Sequence, residues 1–370
     1  MSVRASDQFG PRVVDVTTSK GTFSTPSRAL TSTESNYRKE IVNKIAVDEP
    51  FDNPVFEVIG HFNLEDVRKL RTRNGTLHQR MKEYQAHLHG FGDMLTKFYP
   101  KLYFDESNLE FDDVKALIDL QLMSGFDVIT IPDLGGADAG KFEHKIVTFA
   151  HHILNSEKAP MPYVRIDNEP DVFREKIEAI TDNNGTFQSI GIVFRAPYSE
   201  YYPNYDYLRK VSAEPIWIHE SNLNRIFSSK IPLATAHLSQ MFCIDTVSVE
   251  SRRVMAPFQL KPLARVRRFD PSTLGQLPLP REASQSDQPC CPFCSGHTTA
   301  ELVRAFTGPT GVDTKALEHG FRVHEVFTST EEFDAARSAI QRNAFRDYAS
   351  RRKYLSETLG ERDLFSPRLG

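Results

Sequence analysis

Cysteine is scarce in this sequence, and long apolar runs are missing from it. The chain has 370 residues, of which 4 are cysteines. No run approaches the roughly 18 apolar residues of a membrane-spanning helix, and the polar opening MSVRASDQFG argues against a secretory signal. We therefore expect a cytoplasmic protein. In such reducing surroundings, clustered cysteines bind metals more often than they form disulfides.

The sequence also lacks the usual nucleotide-binding and catalytic-zinc motifs. Neither G-x-G-x-x-G nor G-x-x-x-x-G-K-[ST] follows an early apolar run, and no H-E-x-x-H pair occurs. The formal net charge of −4 disfavours a protein that coats nucleic acid over its entire surface. Nucleic-acid binding would therefore need a local basic patch.

One such patch lies between Ser251 and Phe269, where the chain has no acidic residue. Its basic residues are Arg252, Arg253, Lys261, Arg265, Arg267 and Arg268. We expect them to contact a nucleic-acid backbone; a solvated loop is the alternative.

Eight short apolar runs alternate with segments of helical periodicity. They are SRALTST near Ala29, VFEVIGHF from Val55, KLYFD ending at Asp105, DVITIPD ending at Asp133, YVRID ending at Asp167, IGIVFR ending at Arg195, IWIH ending at His219, and FCIDTVSV containing Asp245. The steps between the later runs average about 28 residues, the length of a strand and a return helix. This pattern predicts an α/β fold, a (β/α)8 TIM barrel rather than a doubly wound sheet.

The segments outside the barrel complete the predicted organisation. An N-terminal β-hairpin turned at Lys20-Gly21 precedes the first barrel strand. We predict a barrel with this hairpin over residues 1–280, a small zinc-binding subdomain over 281–335, and a C-terminal helix over 336–370 that packs back on the barrel.

Charged residues stand at the predicted strand ends, where barrels of this type place their function. They are Asp105, Asp133, Asp167, Arg195, His219 and Asp245. Aspartate after a strand is also a common helix N-cap, but four of them around one mouth favour carboxylate chemistry.

The stretch QPCCPFCSGH, residues 288–297, holds three of the four cysteines. A structural zinc site takes four nitrogen or sulfur ligands. The candidate ligands are Cys290, Cys291 and Cys294, with His297, His319 or His324 as the fourth. We predict structural zinc, which would contribute folding energy.

Several segments, in this order, resemble the tRNA-guanine transglycosylase superfamily, and most closely its branch that acts on DNA. They are TSKGTFSTPSRALTST, LHGFGDMLTKFYPKLYFDES, LQLMSGFDVITIPD, MFCIDTVSVESRR, and Cys-x2-Cys followed by GFRVHEVFTSTEEFDAARSAI. The resemblance covers about residues 12 to 345. It implies an enzyme that exchanges guanine in DNA for a 7-deazaguanine, with 7-cyano-7-deazaguanine as the expected base and a role in restriction-modification.

The resemblance also implies roles for single residues. Asp245 would be the nucleophile that forms a covalent aspartyl-sugar intermediate, and Asp105 the general acid and base that contacts the purine. Asp133 would recognise the guanine edge, and His324 would be the zinc ligand. Asp167, Arg195 and His219 are the further candidates for the substrate pocket. The implied partners are DNA with a flipped base, the free 7-deazaguanine, and a helicase or ATPase.

The sequence departs from the family at three points. Glu106, Ser107 and Asn108 replace glycines after Asp105, and Pro289 stands where the first zinc cysteine is expected. The strand YVRID replaces one that supplies a glutamine, so Arg165 or Asp167 is the expected substitute. Three alternatives remain: the same chemistry on tRNA, a non-catalytic nucleic-acid-binding subunit, and a barrel glycosidase with water as the acceptor.

Overall fold

The N-terminal part of the chain forms an antiparallel sheet of three strands. The computed structural model describes residues 2–6, 11–42, 44–45, 49–134, 136, 138–195, 197–228, 230–249, 266–279, 291–294, 297–309 and 311–361. The strands of this sheet are β1 (Ser2–Ser6), β2 (Arg12–Thr18) and β3 (Gly21–Ser24). Thr18 pairs with Gly21, so Ser19 and Lys20 form the turn and Gly21 takes the positive φ of +126°. The predicted hairpin is present, with a third strand added.

The next segments form a parallel sheet that closes on itself. They are β4 (Ser27–Arg28), β5 (Leu30–Thr31), β6 (Val55–Phe62), β7 (Leu95–Leu102), β8 (Val128–Ile131), β9 (Ala159–Arg165), β10 (Ser189–Val193), β11 (Trp217–Leu223) and β12 (Thr246–Val249). Neighbours follow chain order from β5 to β12. Strands β4 and β5 are two halves of one strand, separated by Ala29. Because β4 pairs with β12 and β5 pairs with β6, this strand closes the ring. The predicted (β/α)8 barrel is confirmed.

Helices surround the barrel. They are α1 (Ser32–Ile41), α2 (Leu64–Thr72), α3 (Asn74–Leu88), α4 (Phe111–Ser124), α5 (Ala139–Leu154), α6 (Pro170–Asp182), α7 (Tyr202–Lys210) and α8 (Thr235–Ser239). Local signals fix several ends. Thr31 and Glu34 form a capping box at the start of α1, and Gly125 ends α4 in the left-handed conformation with φ 90°.

The barrel has an apolar core on each side of its sheet. Helices cover the outer core, while Val55, Leu95 and Trp217 fill the amino end of the barrel beneath Val14 and Val16 of the N-terminal sheet. Close packing leaves little space inside. A Cβ atom on Gly191 would lie 2.5 Å from the ring of Tyr163, so only glycine fits there.

The chain after β12 adds two hairpins and four helices among the residues that the structure describes. They are β13 (Arg267–Asp270), β14 (Gly275–Pro278), α9 (Thr299–Ala305), β15 (Thr307–Gly308), β16 (Gly311–Val312), α10 (Thr314–Gln341), α11 (Phe345–Ser350) and α12 (Lys353–Glu361). Helix α10 packs against α1 and β4, so it is the last helix of the barrel itself. The predicted boundary at 335/336 is therefore wrong, because it cuts this single helix.

Within the described ranges, no helix is long and apolar enough to cross a membrane.

Candidate functional site

Charged side chains gather where β7 to β10 end, at residues 103–106, 133, 165–168 and 195, which we call the mouth. Arg165 lies at the centre of this group. Its NH1 donates to Glu106 Oε2 at 2.8 Å, while Nε and NH2 donate to the two oxygens of Asp167 at 2.9 and 2.7 Å. Arg195 Nε lies 3.7 Å from Asp167. The prediction that these strand ends converge is correct for Asp105, Asp133, Asp167 and Arg195, because each follows the carboxyl end of a parallel strand.

Two neighbouring carboxyl groups at the mouth have opposite surroundings. Asp105 is exposed and accepts a hydrogen bond from the Ser107 amide at 2.9 Å, which lowers the pKa of Asp105. Burial raises the pKa of Glu106, although Arg165 opposes this shift. A carboxylate held ionised beside a carboxyl group that gains a proton more readily is the pattern of an acid/base pair.

Asp167 and Asp133 are fastened within the mouth. Burial acts to raise the pKa of Asp167, but the hydrogen bonds and charge of Arg165, together with the charge of Arg195, outweigh burial and lower the pKa. Asp133 is 6% exposed, and it accepts from Lys176 Nζ at 2.6 Å, from the Arg165 amide at 2.9 Å and from Asn168 at 2.8 Å. These contacts tie β8 to the loop before α6 and leave little of Asp133 for a substrate.

His219 does not lie at the mouth, contrary to the prediction. Strand β11 continues beyond it to Leu223, so His219 is buried in the middle of the barrel. Its Nε2 lies 3.0 Å from Glu57 Oε2, and its Nδ1 lies 2.6 Å from Thr246 Oγ1. Burial, with the nearby charge of Lys97, lowers its pKa to about 4, so the ring is neutral at physiological pH.

His219 belongs to a polar cluster inside the barrel, the interior cluster, which the sequence reasoning missed. Its members are Glu57, Lys97, Tyr163, His219, Ser221, Thr246 and Ser248. Glu57 accepts hydrogen bonds from Lys97, His219, Ser221 and Ser248. Burial acts to raise the pKa of Glu57, but the charge of Lys97 and the hydrogen bonds from His219 and Lys97 outweigh burial and lower the pKa. The available signal was the alternation within VFEVIGHF and LTKFYPKL, which turns a carboxylate and an ammonium group inward.

Asp245 lies at the opposite end of the barrel from the mouth. It directly precedes β12, at the amino ends of the strands, and is 1% exposed. Arg12 donates two hydrogen bonds to Asp245, from Nε to Oδ1 at 3.1 Å and from NH2 to Oδ2 at 2.6 Å. The Ile218 amide also donates to Oδ2 at 2.8 Å. The prediction that Asp245 lies at the mouth is therefore wrong, because it precedes β12 instead of following it. The pair instead fastens the N-terminal sheet to the base of the barrel.

A group that can hold a metal ion lies between α10 and the segment before α9. Cys291 Sγ and Cys294 Sγ lie 3.2 and 3.3 Å from His324 Nδ1. His324 Nε2 donates to the Phe269 carbonyl at 2.8 Å, which leaves the lone pair of Nδ1 facing both sulfur atoms. The ligand atoms of the three residues lie within 4.8 Å of one another, so the donor set and its orientation fit a thiophilic metal.

None of the other candidate zinc ligands belongs to this group among the residues that the structure describes. Cys290 lies outside the described residues, His297 is exposed, and His319 pairs with Glu40 at 2.7 Å while stacking on Tyr37. His324 is therefore the histidine of the described group.

The predicted basic patch lies largely outside the described residues, which include only Arg267 and Arg268 of its members. Arg267 belongs to β13 and donates from NH1 to the Gln276 carbonyl at 2.9 Å. Contacts of the patch to a nucleic acid stay a prediction.

No family model matches the chain, and no curated protein sequence matches it. Among solved structures, N-acetylneuraminic acid synthetase from Leptospira borgpetersenii serovar Hardjo-bovis has 9% identity over 64% of this chain and 77% of that chain, with a TM-score of 0.36. A putative fructose-1,6-biphosphate aldolase from Coccidioides immitis has 9% identity over 84% and 92%, with a TM-score of 0.38. The carboxyl transferase domain of Rhizobium etli pyruvate carboxylase has 13% identity over 83% and 48%, with a TM-score of 0.40. Similarity this low says nothing of a substrate.

Proposed function

We propose that this chain is an enzyme that exchanges guanine in DNA for a 7-deazaguanine base, acting at the mouth of the barrel. The observation that supports it is an adjacent pair of carboxyl groups in opposite surroundings at the mouth: Asp105 is exposed, whereas the Glu106 side chain is 11% exposed and accepts a hydrogen bond from Arg165 at 2.8 Å. These surroundings lower the pKa of Asp105 and raise the pKa of Glu106. Glycosidic-bond exchange needs one ionised carboxylate and one proton donor. Asp105 is also the residue that the resemblance assigns to the purine.

The roles differ from those that the resemblance implied, because Asp245 is buried at the other end of the barrel. Asp105 attacks the anomeric carbon as the bond from that carbon to guanine N9 breaks, and Glu106 gives its proton to the departing guanine. The incoming base then returns its N9 proton to Glu106 and attacks the same carbon, which breaks the ester to Asp105. No redox step is involved. Arg165, bonded to Glu106 and Asp167, orients the pair.

A guanine stacked in a duplex cannot enter the mouth, so the target base is unpaired or flipped out. Arg195, with a side chain that is 40% exposed beside Asp167, is the cation best placed to meet a phosphate of the bound strand. A helicase or ATPase partner would supply the open duplex.

We assign the metal at Cys291, Cys294 and His324 to structural zinc. A tetrahedral site needs a fourth ligand, and Cys290 is the candidate nearest in sequence. Thiolate and imidazole donors suit zinc, and the group joins the segment before α9 to the last barrel helix. Zinc here would stabilise the fold and take no part in the exchange.

Transfer of labelled 7-cyano-7-deazaguanine into DNA and tRNA, measured side by side, tests the proposal. We expect label in DNA that disappears in Asp105→Asn and falls strongly in Glu106→Gln. Asp112→Asn, which removes a neighbouring exposed carboxylate from the first turn of α4, is the matched control and should retain transfer. Label found only in tRNA would mean that the substrate is tRNA instead of DNA. Label that Asp105→Asn does not reduce would refute the assigned mechanism.

The second candidate is a nucleic-acid-binding subunit without turnover. The burial of Asp245 in its pair with Arg12 favours it, because the predicted nucleophile cannot reach a substrate. This candidate predicts DNA binding that Asp105→Asn leaves unchanged and no transfer of label by the wild type in the presence of its partner proteins.

A further inference from the structure

Tyr103 is the most exposed large apolar side chain in the described part of the chain, at 62%. It follows the last residue of β7 by one position, and its amide donates to the Phe62 carbonyl at 3.0 Å, which extends the pairing with β6. The ring is therefore carried on rigid strand ends at the mouth, two residues before Asp105. A tyrosine ring facing solvent costs hydrophobic free energy that burial would recover.

The ring of Tyr103 is held in one orientation. The His61 ring lies nearly parallel to it, at 13° with centroids 5.7 Å apart, and His61 Nδ1 shares a hydrogen bond of 2.6 Å with the Tyr103 hydroxyl. Lys101 Nζ lies 5.8 Å from the centroid of the Tyr103 ring. Lys101 Nζ lies over the ring rather than at its edge, and aromatic rings combined with nearby cations are what proteins use to bind single-stranded nucleic acid.

We propose that Tyr103 and His61 form a stacking platform for an unpaired nucleobase beside the reacting nucleotide, with Lys101 meeting the adjoining phosphate. This inference rests on the proposed function, since it names how the same mouth holds its polymer. The platform is sequence-tolerant, because every base offers a flat face to a ring. The lysine adds affinity that salt screens.

Fluorescence anisotropy with the full chain and a labelled single-stranded DNA of mixed sequence tests the platform. We expect Tyr103→Leu to weaken binding on the order of tenfold, and Tyr103→Phe to stay close to wild type, because the ring does the stacking. Lys101→Gln should reduce the salt dependence of log K by about 0.7, the value for one phosphate contact on a single strand.

Tyr207 provides a matched control on the outer helix α7. Lys210 Nζ lies 5.8 Å from its ring, the same arrangement as Lys101 and Tyr103, and its hydroxyl donates to Glu178 at 2.9 Å. Tyr207→Leu should bind like wild type. An abasic strand, which keeps the phosphates and lacks the bases, should bind equally to wild type and Tyr103→Leu.

The outcomes separate this inference from the function on which it rests. Wild-type binding to DNA that Tyr103→Leu leaves intact overturns the platform and leaves the exchange reaction standing. Equal losses in Tyr103→Phe and Tyr103→Leu overturn stacking in favour of the hydroxyl. No binding by the wild type to either strand overturns both the platform and the nucleic-acid substrate.

Discussion

Glu220 carries a carboxyl group that is buried without a cation beside it. It lies on β11 and accepts hydrogen bonds from Tyr205 at 2.5 Å and Tyr198 at 3.1 Å, and no ion pair found among the described residues includes it. Burial raises its pKa to about 7, against an ordinary value of 4.5, although the hydroxyl donors oppose the shift. The folded protein therefore holds a proton that the unfolded chain has already released between these two pH values.

The sign and size of the effect follow from linkage. Where the folded state binds more protons than the unfolded state, stability falls as pH rises. The loss begins near pH 4.5, runs through about pH 7 and is complete above it. Raising the pKa of Glu220 from 4.5 to about 7 then costs about 3 kcal/mol of unfolding free energy at alkaline pH. Glu220→Gln removes the charge, keeps the volume and retains an acceptor for one tyrosine.

Denaturant unfolding of wild type and Glu220→Gln from pH 5 to pH 8.5 measures this cost. We expect the stability advantage of the variant to grow by roughly 2–3 kcal/mol over that range. Glu178→Gln is the control, because Glu178 also accepts a hydrogen bond from a tyrosine hydroxyl but has a half-exposed side chain. It measures the effect of changing such a hydrogen bond where the carboxylate is not buried. A difference between Glu220→Gln and wild type that does not change with pH would refute the reasoning.

Three further predictions concern buried groups. Asp245→Asn leaves the guanidinium of Arg12 buried without its counter-charge, so we expect a loss of about 3–5 kcal/mol in denaturant unfolding, whereas an unchanged midpoint would contradict the pairing. Cys294→Ser should lower bound zinc from about one per chain and reduce the melting temperature, and a variant that keeps both would refute the metal site. Burial lowers the pKa of His237 to about 3, and its ring nitrogens have no hydrogen-bond partner among the residues that the structure describes. Protons therefore favour the unfolded state as pH falls below 6.5. Between pH 6.5 and pH 5, His237→Leu should lose roughly 1.5–2 kcal/mol less stability than wild type in the same unfolding measurement, and equal losses would contradict this reasoning.

The barrel strands could be predicted from the sequence, because apolar runs that recur at the spacing of one strand and one helix are typical of parallel strands. The run VFEVIGHF coincides with β6, Val55–Phe62, and DVITIPD contains β8. The ends of the strands were harder to predict, because a short apolar run does not show where strand pairing starts. The run IWIH stops in the middle of β11, and the run FCIDTVSV begins before β12. Asp245 was therefore predicted at the carboxyl ends of the strands, whereas it lies at their amino ends.

The candidate site was predictable where it depends on strand direction alone. Asp105, Asp133, Asp167 and Arg195 meet because they follow successive parallel strands. Their separate roles depend on contacts between elements distant in sequence, such as the bond from Arg165 to Glu106, 59 residues apart, or from Lys97 to Ser221, 124 residues apart. No local pattern encodes such pairs.

Helix α10 gives the barrel a late closing step. Arg337 donates to the carbonyls of Ser24 and Pro26, so the last barrel helix holds the chain that leads into the first strand across a sequence separation of 313 residues. Closing a loop that long costs roughly 2 kcal/mol more than closing one strand-helix step. A ribosome-bound chain that has not yet released residues 314–341 therefore has an unsealed barrel, with β4 and α1 open to other chains. Because His324 lies on the same helix, a metal ion bound by Cys291, Cys294 and His324 could be captured only at this same late stage of synthesis.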